Sequence, residues 1–379
     1  MLSANVELSR KNIDHNINVF RKLINQSNPN TLFCAVVKSN AYGHGLSEIT
    51  KLCLESKVNL FGVNSLEEAH IIRAIHPSIP ILIMGDIPKL SERSYEIQDE
   101  NFWIMISRFE EWQFLSKQTT RPRIHLKIDT GMGRLGTSGM KWEEIVSNAA
   151  KDKLPLDGVA THFASTEDFT EHSYSKMQLA KFNEYLSKLE SYGYVNLIRH
   201  CAASASALLF DEARMDMVRV GISLYGLWPS IETKLSMNIL KRPEADLKPV
   251  LSWKSQLQHI QELPSGSFIG YGSTYKTTSP TKVGVVPMGY YEGLDRKLSN
   301  NGYMLVLGER AKILGRVCMN MTMIDITHIK DVKLGDEVVI IGDSLNEKIS
   351  ADDLSQWAHT INYETVTKIL PHFPRKIVD

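Results

Sequence analysis

Short runs rich in Val, Ile, Leu and Phe alternate with longer polar-apolar segments over the first two-thirds of the chain, which is the pattern of successive βα units. Eight such runs stand out, at 32–38, 59–64, 81–85, 103–107, 123–129, 158–163, 197–201 and 217–224. The segments between them mostly carry helical spacing. Ile13, Ile17, Phe20 and Ile24 mark one face of an N-terminal helix, and Ser65 followed by Glu68 predicts a capping box opening a helix over 65–75. Strands that are apolar almost throughout need cover on both faces, so eight of them, each wanting a helix on its outer side, predict a closed (β/α)8 barrel of the TIM type. Beyond about residue 235 the long helical segments stop. Short β-rich runs at 250–260, 282–288, 304–307, 313–318, 323–326 and 337–341 alternate with Gly/Pro turns, and only 352–357 and the stretch near the C-terminus hint at helix. The expected division is a barrel domain over 1–235 and a mostly antiparallel β domain over 236–379.

Composition narrows the function classes. With 379 residues the chain exceeds one ordinary core, and 43% hydrophobic with 23% charged residues describes a folding, globular chain. Lys+Arg and Asp+Glu are both 43, so no global charge excess draws the protein to nucleic acid or to an anionic membrane. Cys34, Cys53, Cys201 and Cys318 are scattered and make no zinc or redox pair. The N-terminus lacks a basic-then-apolar leader and no apolar run is long enough to span a bilayer, so the expected location is the cytoplasm.

In a barrel of this kind chemistry gathers at the C-terminal ends of the strands. Lys38 closes the first run, Lys127 lies in the fifth and His162 ends the Gly158-Val-Ala-Thr-His stretch of the sixth; His200 and Ser204 follow strand seven, and Arg219 and Gly221 lie in the eighth. A lysine closing an apolar strand sits near a desolvated rim where its neutral, nucleophilic amine becomes accessible, as a Schiff-base lysine requires. A strand-end lysine reaching solvent is the common alternative on position alone.

The stretch Lys38-Ser-Asn-Ala-Tyr-Gly-His-Gly resembles the lysine motif of the alanine racemase family, which depends on pyridoxal 5'-phosphate. Asp129-Thr-Gly-Met-Gly-Arg-Leu-Gly, Thr161-His-Phe-Ala, Val218-Arg-Val-Gly-Ile, Gly270-Tyr-Gly-Ser-Thr-Tyr, Met288-Gly-Tyr, Gly315-Arg-Val-Cys-Met and Ile361-Asn-Tyr-Glu resemble its further landmarks, in its order. The resemblance implies that the cofactor is held on Lys38 and that two bases act on opposite faces of the substrate, Lys38 and Tyr271, the latter from a second subunit. It implies that Arg219 faces the cofactor's ring nitrogen, that His162 packs against the ring, and that Ser204, Gly221, Ile222, Tyr42 and Tyr363 meet the phosphate. Arg134 and Lys127, the latter carbamylated in many members, would stand on the substrate side, with Tyr290 and Met319 supplied by the partner of a homodimer with shared active sites. The implied activity is an isomerase interconverting L- and D-alanine, a source of D-alanine for peptidoglycan. Three positions depart from the family pattern: Asn320 where Asp is normal, Ala203 where Asn is usual, and Tyr291-Glu292 where Ala-Asp is common. They leave the reaction class intact and open the question of serine or another small amino acid as substrate. The competing readings are a pyridoxal-phosphate amino-acid decarboxylase of the same architecture and a cofactor-binding homeostasis protein, which would resemble the barrel half alone.

Overall fold

The computed structural model describes residues 4–166, 172–240 and 246–379; residues 1–3 of the N-terminal stretch lie outside them. The chain divides into two compact units, one of residues 13–39 and 49–248, the other of residues 1–12, 40–48 and 249–379.

The first unit contains the eight strands expected from the apolar runs: Leu32–Val36, Leu60–Val63, Ile81–Ile83, Phe102–Ile106, Arg123–Lys127, Gly158–Ala160, Ile198–His200 and Met217–Val220. The first seven each pair in parallel with the next, and the eighth pairs in parallel with the first, with Leu32 opposite Met217 and Ala35 opposite Val220. Asp216 N–H to Arg199 O (3.1 Å) and Arg219 N–H to Ala202 O (3.0 Å) join the seventh strand to the eighth, closing the barrel. Strands such as Leu60–Val63 and Phe102–Ile106 are buried at every position, the physical counterpart of their unbroken apolar runs.

The helices obey the same logic. Arg10–Ser27 buries Ile13, Ile17, Phe20 and Ile24, the stripe its spacing predicts. Leu66–Ile75 is capped by Ser65, whose Oγ accepts from Glu68 N–H (3.4 Å). The reciprocal half of the box is not made, because the Glu68 carboxylate is bonded elsewhere. Between the third and fourth strands a 3-10 segment, Leu90–Glu96, broken at Arg93, replaces a full helix. The helix Ile231–Ile239 crosses the boundary expected at 235. Its Ile231, Leu235 and Ile239 face outward while Thr233 and Ser236 are buried, so its apolar spacing does not report its core face.

The second unit is built on one sheet in the order His259–Leu263, Thr281–Val286, Thr322–Asp325, Glu309–Leu314, Tyr303–Val306, Glu337–Ser344, Leu251–Gln256, Asn5–Ser9, Arg375–Val378. Its pairings are antiparallel except the last, where Asn5–Ser9 runs parallel to Arg375–Val378. Asn5–Ser9 alternates half-buried and buried positions and pairs with Leu251–Gln256. The first residues thus belong to this sheet rather than to the barrel that the sequence pattern assigned them to. The single run expected over 250–260 divides into Leu251–Gln256 and His259–Leu263, which pair with different strands. Ile269, Val283, Leu314 and Met323 form one of its buried clusters. Each such side chain removed from water contributes about 1.5–3 kcal/mol.

Candidate functional site

Most of the barrel residues singled out in the sequence lie at or just beyond the C-terminal end of a strand. Lys38 follows Leu32–Val36, Lys127 ends Arg123–Lys127, His162 follows Gly158–Ala160, and Gly221 and Ile222 follow Met217–Val220. Lys38 is half-buried, and its pKa is lowered from the ordinary lysine value by burial first and the Arg134 cation second, with Glu68 opposing. The helical turn after it, Lys38–Tyr42, is left-handed: Ser39, Asn40, Ala41 and Tyr42 have φ of 56°, 54°, 53° and 52°. For residues with a Cβ this costs about 1–2 kcal/mol each, so the turn persists only where surrounding bonds hold it. Those bonds are present. Asn40 O accepts from Gly45 N–H (2.9 Å), Ala41 O from His44 N–H (3.0 Å) and Asn40 Oδ1 from Leu46 N–H (2.9 Å). At the start of the turn, Glu68 Oε1 accepts from Ser39 N–H (2.5 Å) while Oε2 accepts from Asn64 N–H (2.9 Å).

Arg219 is the electrostatic centre of the barrel mouth. It is buried, with no carboxylate of the described residues among its interactions; instead Nη1 donates to His200 Nδ1 (2.7 Å) and His200 O (2.8 Å), and Nη2 to Thr161 O (2.7 Å) and Cys201 O (3.3 Å). Four of its five N–H groups are thereby used, and among the described residues the Nε–H has no partner. Because guanidinium only donates, His200 Nδ1 must accept; His200 Nε2 then carries the proton and donates to His125 Nδ1 (2.9 Å). Burial pushes the His125 pKa down to about 3 and the His200 pKa well below its ordinary value. Gly158 makes room for this arrangement, since a Cβ there would lie 2.3 Å from His125 Nδ1. The chain of two neutral imidazoles was legible only as scattered histidines.

Lys127 is held down in pKa by burial, then by Arg219 and Arg134. His162 is likewise pushed well below the ordinary range by burial and then by Lys127, Arg219, Arg134 and Lys38. Arg134 is exposed on a loop that folds back on itself: Thr137 N–H donates to Lys127 O (3.0 Å), and Asp129 Oδ1 accepts from Gly131 (2.9 Å) and Met132 (2.8 Å) N–H. At the opposite side of the rim Ser204 Oγ accepts from Gly221 N–H (3.0 Å) and Ser223 N–H (3.4 Å). A small hydroxyl that gathers backbone N–H groups to one point suits an anion such as a phosphate.

The sheet unit holds the other sequence-predicted residues. Tyr42 and Tyr363 have ring centroids 6.2 Å apart, and burial pushes the Tyr42 hydroxyl up to about 12. Gly43 fits because any Cβ would lie 2.0 Å from Val366 O. Tyr271 sits on the turn Tyr271–Ser273 and is 71% exposed. Gly272 beside it has φ 72°, and its face lies against the Arg316 guanidinium, 3.0 Å from where a Cβ would be. Tyr290 N–H donates to Cys318 O (3.1 Å) and Tyr291 N–H to Met319 O (2.9 Å), which brings the Tyr290 and Met319 loops together. Their side chains are 43% and 54% exposed. Two of the departures meet directly here: Asn320 Nδ2 donates to Glu292 Oε1 (2.8 Å), while Glu292 Oε2 takes Gly289 N–H (2.8 Å). An Asp at 320 would set carboxylate against carboxylate.

The donor set fits pyridoxal 5'-phosphate: a lysine of lowered pKa for its aldehyde, an arginine Nε–H without a partner for its ring nitrogen, and a serine with backbone amides for its phosphate. Glu68 is the polar residue beside Lys38 that the sequence reading gave only a capping role, because a Ser-x-x-Glu spacing looks complete within one helix.

The family model for the alanine racemase N-terminal domain matches residues 8–229, and that for the C-terminal domain residues 250–377. An alanine racemase of Leptospira interrogans is 52% identical over 377 residues, covering 100% of this chain and 96% of the relative. One of Desulfosudis oleivorans is 36% identical, covering 98% and 96%. Among solved structures, alanine racemase from Streptomyces lavendulae superposes with a TM-score of 0.89 at 30% identity, covering 100% and 97%. That from Bacillus anthracis with bound L-Ala-P superposes with 0.88 at 31%, covering 100% and 95%.

Proposed function

We propose, because this chain belongs to the alanine racemase family, that it is an isomerase interconverting L- and D-alanine with pyridoxal 5'-phosphate as its cofactor. The observation that carries the reading is the half-buried Lys38 amine at the barrel rim, its pKa lowered by burial and by Arg134, within a chain matched along its whole length by alanine racemases. When bound, the cofactor supplies a conjugated ring that delocalises the electron pair left when the substrate Cα–H bond breaks.

The chain's own residues do the rest. Lys38 would hold the cofactor through its aldehyde, and its amine, once displaced there by the substrate's own amine, would exchange a proton at the substrate Cα on one face. Tyr271 of a second subunit exchanges the proton on the other face, since one base fixed in place does not serve both. Arg219 donates to the ring nitrogen without readily giving up its proton, which keeps the electron sink weak and the proton's return favoured over side reactions. Its hold on His200 Nδ1 fixes the guanidinium so that the Nε–H remains for the ring. Ser204, Gly221 and Ile222, with Tyr42 and Tyr363, bind the phosphate; His162, kept neutral, packs against the ring. Arg134 orients the substrate carboxylate. Lys127, crowded by Arg219 and Arg134, is carbamylated, which replaces a repelled cation with an anion that holds Arg134.

The exposure of Tyr271, Tyr290 and Met319 supports a homodimer in which each subunit completes its partner's site. Four free cysteines suit a reducing cytoplasm. Among the described residues no helix is long and apolar enough to cross a membrane. The Asn320–Glu292 pair favours a second reading of substrate range, in which serine or another small amino acid is also turned over. The deciding experiment loads the purified protein with cofactor, offers single-enantiomer alanine, serine and larger amino acids, and follows optical inversion by chiral chromatography. Alanine inverts fastest. Release of carbon dioxide, or no inversion of any substrate, would replace racemase with decarboxylase or with a cofactor carrier.

A further inference from the structure

The Glu68 carboxylate does not complete its own helix cap. It leaves the Ser65 amide and reaches to two backbone N–H groups at the barrel rim, Ser39 at 2.5 Å and Asn64 at 2.9 Å. Ser39 directly follows Lys38, and Asn64 directly follows the second barrel strand, Leu60–Val63. One side chain therefore ties the ends of two neighbouring strands together at the point where Lys38 leaves its strand. Ser39 is also the first of four consecutive residues with a Cβ in left-handed conformation. A turn of that kind does not hold its own geometry, so a bond at its first amide sets the direction in which Lys38 leaves the strand. The second amide, from Asn64, anchors the carboxylate to a rigid strand, so the restraint on Ser39 is fixed to the barrel and not to a swinging side chain.

We infer that Glu68 is a positioning residue for Lys38: by receiving the Ser39 amide and the Asn64 amide together, it sets the place and direction of the cofactor-binding amine. This rests on the assignment of the cofactor to Lys38. Glu68 is also the anionic group near that amine. The other charged or titratable groups that interact with it are the Arg134 cation, which opposes its protonation, and His162, whose own pKa Lys38 lowers. Removing the carboxylate charge thus lowers the pH at which Lys38 loses its proton, while removing the acceptor oxygens loosens its position.

Two variants separate these effects. Glu68→Gln keeps an acceptor oxygen without the charge; Glu68→Ala removes both. The cofactor-free proteins are labelled by reductive methylation across a pH series, with the extent at Lys38 read by peptide mass. The loaded proteins are reduced with borohydride to locate the trapped cofactor, and kcat and KM are measured in both directions. Both variants show the Lys38 labelling curve moved to lower pH. Glu68→Ala loses about 10-fold or more in kcat with the KM for alanine little changed, a loss of orientation, and Glu68→Gln recovers a large part of it. Cofactor trapped on a lysine other than Lys38 in the unsubstituted protein would overturn the assignment on which the inference stands. Cofactor trapped on Lys38, with unaltered labelling and kcat in Glu68→Ala, would overturn the role of Glu68 alone. If Glu68→Ala does not fold, the labelling curve and kcat of Glu68→Gln decide: unchanged values refute the role.

Discussion

The barrel mouth and the sheet-unit turns carry chemically similar burdens in opposite ways. In the barrel, Lys38, Lys127, His162, His200 and Arg219 sit in a shielded rim where burial and mutual repulsion depress pKa values, and Arg219 alone makes four hydrogen bonds. In the sheet unit, Tyr271, Tyr290 and Met319 project from glycine-hinged turns with much of their surface open to water. The first set is organised by its own unit down to the tautomer of a histidine. The second is placed by backbone geometry and waits for something else to surround its side chains. Under the proposed dimer, the site would have a preorganised electrostatic half and a half that becomes specific only on assembly.

The strongest test of that contrast is a pair of substitutions, one from each half. Lys38→Ala removes the amine itself, so cofactor absorbance and racemisation disappear together. Tyr271→Phe deletes only an exposed hydroxyl; the protein still loads cofactor, and turnover falls by about 10²–10⁴-fold, as for loss of a general acid-base group. Solvent-deuterium incorporation at Cα then slows for one enantiomer more than for the other. Undiminished turnover in Tyr271→Phe would remove the tyrosine from the mechanism.

The buried half should also be the pH-sensitive one. His125 has a pKa of about 3 in the folded protein, depressed by burial, against about 6.5 unfolded. The unfolded chain therefore binds the extra proton first as pH falls. The stabilisation is complete above about pH 6.5 and declines by about 1.4 kcal/mol per pH unit down to about pH 3. Between pH 7 and pH 5 this one group contributes a loss of about 2 kcal/mol, and His200, lowered for the same reason, adds to it. Urea unfolding at a series of pH values checks this: His125→Asn is less stable at pH 7 but has a shallower decline. A decline as steep as that of the unsubstituted protein would mean that His125 is not the neutral, buried group described.

The smallest effect belongs to the exposed half. Asn320→Asp places a second carboxylate against Glu292, but in water the repulsion is screened, so stability changes by about 0.5 kcal/mol or less. The change to look for is in KM for alanine relative to serine. An unchanged ratio would show that the exchange at 320 and 292 does not bear on substrate choice.

The legibility of the sequence follows the same division. All eight barrel strands were readable, most of them because a strand buried on both faces must be apolar at nearly every position, as Phe102–Ile106 is. Asn5–Ser9 was assigned to the wrong unit, because its partners, Leu251–Gln256 and Arg375–Val378, lie more than two hundred residues away and pairing leaves no mark on local spacing. Ile231–Ile239 was missed because the helix presents its isoleucines to solvent. Among the site residues, Lys38 and Arg219 stood out by the motifs around them, which resemble those of the family. Their supports did not: Glu68 read as a helix cap, and His125 as one strand residue among others.

The order of hydrophobic runs determined the barrel, the sheet-rich remainder and the chemical identity of the residues at the rim, since period and composition are local properties that burial imposes directly. Tertiary structure decided which partners those residues have: the Arg219–His200–His125 chain, the diversion of Glu68 to Ser39 and Asn64, and the meeting of Asn320 with Glu292. Hydrogen bonds are short and directional, so they depend on the placement of atoms distant in sequence to a few tenths of an ångström, and nothing in the spacing of the chain encodes that.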